Sequence, residues 1–183
     1  MKSPLRKQSA GRGQPVVLRT APGDRSRAVL QFGVLRLPAA LGRAGTVLCK
    51  KEGDGGSPRA AMRLLGGYIR GDRIRNLVTP LPMTRTKAGM LWCDEPGHPA
   101  YNRPVSAPFA ASHERLMRDD SLYDICLIMD WNVTSRRRGR GSAIFFHLAR
   151  PGYTPTEGCI AIARRDMLCL IRHFRCGTRI HIL

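Results

Sequence analysis

His147 and Cys159 are separated by eleven residues, "LARPGYTPTEG", and each borders an apolar, β-rich run, "AIFFH" before the loop and "CIAIA" after it. A thiol is a weak nucleophile until a base takes its proton, and an imidazole brought beside it lowers its pKa from about 8.5 and raises the thiolate fraction. Pro151, Gly152 and Pro155 supply turn chemistry with which the loop folds back and brings two strand ends together. The residues before the cysteine do not read as the continuation of a core strand. Thr156 and Glu157 are polar, and Gly158 removes a side chain where backbone or substrate must approach closely. A loop-to-strand corner of this kind presents backbone N–H groups to a developing oxyanion. No Asp or Asn is set by spacing to orient the imidazole, so a backbone carbonyl is the expected partner. The plainer alternative is a packed cysteine and a hydrogen-bonded core histidine.

The remaining chemistry-bearing residues are weaker candidates. His98, His113, His173 and His181 have no second ligand at metal spacing, and no metal is expected. "EGDGGSP" lacks the GK[ST] of a phosphate loop and carries two acids, so it reads as a tight hairpin. The six cysteines form neither CxxC nor zinc-finger spacing. Cys126, in "YDICLIM", reads as a small core residue. Cys169 and Cys176 lie two helical turns apart, about 10 Å, too far for a disulfide.

The elements that must position these groups are mostly strands. "PVVLRT" (15–20) and "AVLQFGVLRLPAAL" (28–41), the latter broken near Gly33 or Pro38, are followed by a turn-rich entry at 50–65 and an irregular "GGYIRGDRIRN". "GMLWCDEPGHPAYNRPV" (89–105) is expected to be an ordered loop anchored by Trp92 and Tyr101. "LYDICLIMDW" (122–131), "SAIFFHLA" (142–149) and "CIAIA" (159–163) read as buried strands. The period changes in "RRDMLCLIRHF" (164–174), where Met167, Leu170, Ile171 and Phe174 share a helix face and Asp166 sits in the first turn. Gly177 ends the helix, and "TRIHIL" closes the chain as an alternating strand. The fold class is mainly β: one domain over 14–183 with one late helix, preceded by a basic disordered tail over 1–13.

A length of 183 residues suits one well-buried domain, and no apolar run is long enough to span a bilayer. Thirty-one basic against thirteen acidic residues leave a net charge of +18, which predicts attraction to polyanions: nucleic acid, anionic lipid or acidic cell-wall polymer. Arg136, Arg137, Arg138 and Arg140 form the densest knot and read as a solvated loop. The N-terminus is basic but has no apolar segment of export-signal type.

"GSAIFFHLARPGYTPTEGCIAIARRDM" resembles the catalytic segment of the L,D-transpeptidase (YkuD-type) domain, whose hallmark is a His followed by a [S/T]-x-G-C corner. "KKEGDGGSP", "LWCDEPGHPAYNRPV" and "LYDICLIMDWN" resemble a compact bacterial branch of the same family, so the likeness extends over most of 15–183. The resemblance implies a β-sandwich-like domain with the late helix packed against it. It implies Cys159 as nucleophile, His147 as base, the Leu148 carbonyl as the group orienting the imidazole, and the Gly158 and Cys159 N–H groups as much of the oxyanion hole. Thr156 holds the family's Ser/Thr position, and Thr156, Glu157, Arg164, Asn132 and Trp92 are the residues expected to meet substrate. Ala161 stands where many members carry an Arg, so its carboxylate contact is expected from Arg164 or Arg165. "SPRAAM" replaces the common "TPxGxF".

The activity implied is acyl transfer on peptidoglycan stem peptides without a cofactor, in the periplasm or cell envelope: a thioester with a tetrapeptide stem, then transfer to an amine as a 3→3 cross-link. The same site with water as acceptor is an L,D-carboxypeptidase or amidase. A third reading, a non-enzymatic nucleic-acid or polyanion-binding protein, has the charge in its favour, but the chain lacks the aromatic-plus-basic strands of an RNA-binding sheet.

Overall fold

Alternation of buried and exposed residues at period two organises most of the chain, and a computed structural model describes residues 13–183. The expected tail lies, apart from Gly13, outside the described residues. Strands β1 (Val16–Ala21), β2 (Asp24–Phe32) and β3 (Leu35–Ala40) form an antiparallel meander, and the turn at Gly33, with φ +61°, is the break expected there. Short parallel strands β4 (Thr46–Val47) and β5 (Ser57–Pro58) precede the nine-residue β6 (Ala61–Ile69), beside which β7 (Met83–Arg85) runs parallel. A separate antiparallel sheet consists of β8 (Met90–Cys93), β9 (Arg103–Ser106) and β10 (His113–Arg115). Then come β11 (Ile125–Met129), β12 (Phe145–Leu148), β13 (Ile160–Ile162), helix α1 (Arg164–Leu170), a one-turn 3-10 extension (Ile171–His173) and β14 (Arg179–Ile182).

The main sheet runs β11-β12-β13-β3-β2-β1-β14-β6-β7, and β6 also pairs with β11, so the ladder closes on itself. Inside the ring lie the inward residues of every strand, among them Leu18, Leu30, Leu64, Leu127, Phe146 and Ile160. The late helix and the turn after it belong to the same core: Met167 and Leu170 on α1, Ile171 in the 3-10 turn and Phe174 just past it are fully buried, and the α-helix expected over 164–174 ends at Leu170. Burying each contributes about 1.5–3 kcal/mol, which outweighs the weak intrinsic stability of a seven-residue helix. Among the described residues no helix is long and apolar enough to cross a membrane.

Three expectations need correction. The segment 89–105 is not a loop: Met90–Cys93 and Arg103–Ser106 are paired strands. The first four residues of the expected irregular stretch, Gly66 to Ile69, belong instead to β6, while the rest stays irregular; Gly66 and Gly67 are required there for close approach, since a Cβ would meet Pro82 O at 3.0 Å and Cys126 O at 2.9 Å. "EGDGGSP" joins strands that run parallel rather than a hairpin, with the Asp54 carboxylate accepting from the N–H groups of Lys51 and Gly56.

Candidate active site

Strand register decides which side chains meet. Strands β12 and β13 are parallel, with His147 opposite Ala161 and Phe146 opposite Ile160. Residues 146, 148, 160 and 162 therefore point into the ring and join its core. Phe145, His147, Cys159 and Ala161 face outward. His147 and Cys159 are diagonal neighbours on adjacent chains, with α-carbons about 8 Å apart by strand geometry. Their face is covered by the three-stranded sheet, and a second apolar cluster of Tyr68, Trp92, Leu116, Tyr123, Cys126, Phe145 and Cys159 fills the interval. Tyr123 presents edge-to-face contacts to both His147 (5.2 Å) and Phe145 (5.9 Å).

His147 and Cys159 open into one cavity of about 360 Å³, whose wall also includes Thr156, Glu157, Arg118 and Arg150. His147 is 4% exposed, and its Nδ1 lies 2.9 Å from the Leu148 carbonyl oxygen. The tautomer with hydrogen on Nδ1 satisfies that contact and leaves Nε2 as the basic nitrogen. The Cys159 thiol donates to Ala143 O at 3.2 Å, and its sulfur accepts from the Phe145 N–H at 3.3 Å. The thiol hydrogen is thus directed at a carbonyl, and transfer to the imidazole requires rotation about the Cβ–Sγ bond.

Burial pushes the Cys159 thiol up to about 12, partly opposed by the Phe145 N–H. Burial likewise holds His147 down to about 4, against its hydrogen bond to Leu148. The expectation that the imidazole lowers the thiol pKa is corrected for this resting state. Burial thus disfavours the charged form of both groups before substrate enters.

A stability consequence follows from His147. It takes up a proton near 6.5 in the unfolded chain and near 4 in the fold, so between those values the unfolded chain binds more protons and stability increases with pH. The contribution is present above about pH 6.5 and is lost as pH falls to about 4, on the order of 3 kcal/mol in full. Urea unfolding at pH 7 and pH 4.5 should show this loss in the wild type and a smaller one in His147→Asn. Equal losses in both proteins contradict it.

The corner before Cys159 is held from three sides. Thr156 Oγ1 donates to Cys159 O (2.7 Å) and accepts from the Gly158 N–H (3.2 Å), so that N–H, named above as an oxyanion donor, is engaged in this state. The backbone of Thr156 bonds to Leu41 O (2.9 Å) and receives the Arg43 N–H (2.8 Å). Ser57, with no exposed surface, donates to Gly158 O and accepts from the Gly42 N–H, both at 2.9 Å. Ser57→Ala strands the buried Gly42 N–H and should lower stability by about 1–3 kcal/mol, read from urea midpoints. A variant within error of wild type contradicts this account of the corner.

The other expected substrate residues are placed differently. Glu157 is at the cavity rim but is bound by the Arg43 guanidinium at 2.9 Å. Arg164 is not in the cavity wall; its guanidinium pairs with the buried Asp124 (3.2 Å). Arg165 is solvent-facing beside Asp166. Asn132, with φ +52°, organises the loop 132–141 through bonds to Ser135, Arg137 and Gly141, and lies on a separate shallow pocket. Trp92 is buried edge-on against Phe145, and its Nε1–H donates to Asn102 Oδ1 (2.9 Å).

Residues that sequence reading passed over take their places. Arg118, Arg150 and the buried Lys50 are the cations of the cavity wall. Glu114 and Asp94 are carboxyl groups of the wall: burial raises the Glu114 acid, and Asp94 Oδ1 is buried with no hydrogen-bond partner among the described residues. Asn102, 1% exposed, ties Trp92, Ala143 and Trp131 together. The one local signal was "DEPGHPAYN", a polar, turn-rich insertion between anchoring aromatics.

A search of curated proteins finds no match. Among solved structures, L,D-transpeptidase 1 of Mycobacterium tuberculosis superposes with a TM-score of 0.40 at 11% identity, over 93% of this chain and 62% of that one, so the chain spans less than two thirds of its length. The family profile described as L,D-transpeptidase catalytic domain (YkuD) matches residues 25–182, which is most of the chain, including the strand–loop–strand unit that carries His147 and Cys159. The chain belongs to the YkuD family of L,D-transpeptidase catalytic domains.

Proposed function

We propose that the protein is a peptidoglycan L,D-transpeptidase of the cell envelope, with Cys159 as nucleophile and His147 as general base. The observation that carries this reading is the placement of the two side chains on one face of adjacent parallel strands, opening into one cavity walled by charges of both signs. In the first half-reaction the Cys159 thiol gives its proton to His147 Nε2 as sulfur attacks the carbonyl of the L-centre of diaminopimelate. The tetrahedral oxyanion collapses, the bond to the terminal D-Ala breaks, and His147 returns the proton to the departing amine. In the second, an amine of another stem attacks the thioester, loses its proton to His147 and forms the amide, and the thiol is regenerated.

The resting pKa values set one feature of this scheme. With the thiol near 12 and the imidazole near 4, preformed thiolate is scarce, so proton transfer accompanies attack. Arg118 and Arg150, which share the Asp120 carboxylate, suit the carboxylates of a stem peptide in place of the Arg absent at Ala161, whereas Lys50 is buried and held by Asp54. Glu114 and Asp94 suit a cationic acceptor amine. Thr156 and Glu157 shape the cavity mouth rather than supply chemistry.

The test is product mass spectrometry on purified tetrapeptide stems. A dimer formed with loss of one D-Ala per bond is expected. Tripeptide alone, with and without an acceptor amine, identifies water as acceptor and makes the protein a carboxypeptidase; unchanged stems contradict both.

A further inference from the structure

A second cavity, of about 250 Å³, lies at the end of the ring where the β2–β3 turn meets the segment after α1, and it shares no lining residue with the catalytic cavity. Arg172, Arg175 and Arg179 line it, all exposed, together with His173, whose ring is tilted 37° to that of Phe32 at 5.9 Å. No carboxylate lines it, and none of the three arginines forms an ion pair among the described residues. Register adds a fourth cation, since Arg63 stands directly opposite Arg179 and is exposed. Like charges directly opposed on a sheet are unfavourable, and the one carboxylate bound beside this pair among the described residues, Asp130, accepts from the Arg63 backbone N–H at 2.8 Å. Gly13 and Gln14 also line the cavity, and the twelve residues before them include Lys2, Arg6, Lys7 and Arg12 but no Asp or Glu.

Beside this basic pole the chain exposes apolar side chains. The β2–β3 turn passes next to Gln14, for a Cβ on Gly33 would lie 3.3 Å from the Gln14 side chain. Its tip is Val34, 92% exposed, followed by Leu35 at 41%. A purely electrostatic contact with a soluble polyanion gives no use to two aliphatic side chains on the turn that follows Phe32. An anionic bilayer uses both, with phosphates meeting the guanidinium groups and short aliphatic side chains entering the headgroup boundary.

We propose that this pole docks the protein on a membrane surface rich in anionic phospholipid, with Arg172, Arg175 and Arg179 binding lipid phosphates and Val34 inserting at the interface. This association stands apart from catalysis and adds a location to it.

Flotation of the full chain with vesicles of phosphatidylcholine, alone or mixed with phosphatidylglycerol, tests it. Binding is expected only to the mixed vesicles and should weaken as salt rises. Removing each of the three arginines as Ala should lower partitioning about fivefold, and Val34→Asp should lower it by at least about as much. Thermal melting of each variant verifies that it is folded. The proposal is overturned by wild-type protein that ignores mixed vesicles or binds neutral ones equally. It is also overturned by a triple-alanine variant that partitions like wild type. Binding that duplex DNA competes away while Val34→Asp leaves it intact overturns it too, and identifies a nucleic-acid surface instead.

Discussion

Cys159→Ala is expected to lower acyl transfer by at least about 10⁴-fold, because the covalent route disappears with the sulfur and no other side chain in the cavity can substitute for it. Its effect on stability is expected to be small by comparison. The thiol makes two hydrogen bonds, to Ala143 O and from the Phe145 N–H, and their loss in a buried site costs about 1–3 kcal/mol. Cys159→Ser separates the two effects. A hydroxyl keeps a donor for Ala143 and an acceptor for Phe145, so stability should recover most of the difference while turnover stays absent. A structural cysteine predicts the opposite ordering, in which serine restores whatever function the protein has. Turnover of stem peptides and urea midpoints, measured on both variants, decide between them.

The second large effect is expected at Gly158. Its φ of +134° lies where L side chains are rarely found, and a Cβ there would sit 2.8 Å from the carbonyl oxygen of Gly56. The neighbour is backbone and is itself fixed: Gly56 donates its N–H to Asp54, and Ser57 ties the same segment to Gly158 O. Neither side can yield cheaply, so Gly158→Ala should cost about 2–4 kcal/mol. For a chain of this size that is a fall in Tm of roughly 5–15 °C. Displacement of the adjacent sulfur by even about 1 Å should lower acylation about 100-fold in the fraction that still folds. An alanine variant with wild-type Tm and wild-type acylation shows that the corner is not held as described.

Much of this was legible in the residues because their own periodicity carried it. The runs at 122–131, 142–149, 159–163 and 178–183 alternate or stay apolar over strand length, and strands formed within each. The apolar spacing of Met167, Leu170, Ile171 and Phe174 was readable for the same reason, and all four are buried, but the α-helix ends at Leu170 and Phe174 is already extended. What stayed hidden depends on distant partners. The stretch at 61–69 contains a Gly pair that ordinarily interrupts a strand, and only the backbones packed against it explain the glycines. Strand β10 lies in "ASHERL", too short and polar for a periodic signal, and it forms because β8 offers it a ladder.

The active corner divides in the same way. His147, Cys159 and Gly158 stood out by type and spacing along one strand–loop–strand unit. Ser57 did not, because its role comes from contacts roughly a hundred positions away along the chain. Arg164 was legible as a cation near the site but not as the partner of Asp124, which is set by how α1 meets the start of β11. Glu114 enters the cavity from β10 of the three-stranded sheet and Arg118 from the segment just after it, and no local pattern announces the position of either over β12.

The central claim is that the sulfur of Cys159 is the acyl carrier and that His147 serves it. Intact-mass spectrometry after a brief incubation with a carbapenem, followed by peptide mapping, tests this most directly. One adduct per chain is expected, on Cys159, forming much more slowly in His147→Ala and absent from Cys159→Ala. An adduct on another residue, or equal labelling of the Cys159→Ala protein, would contradict the account.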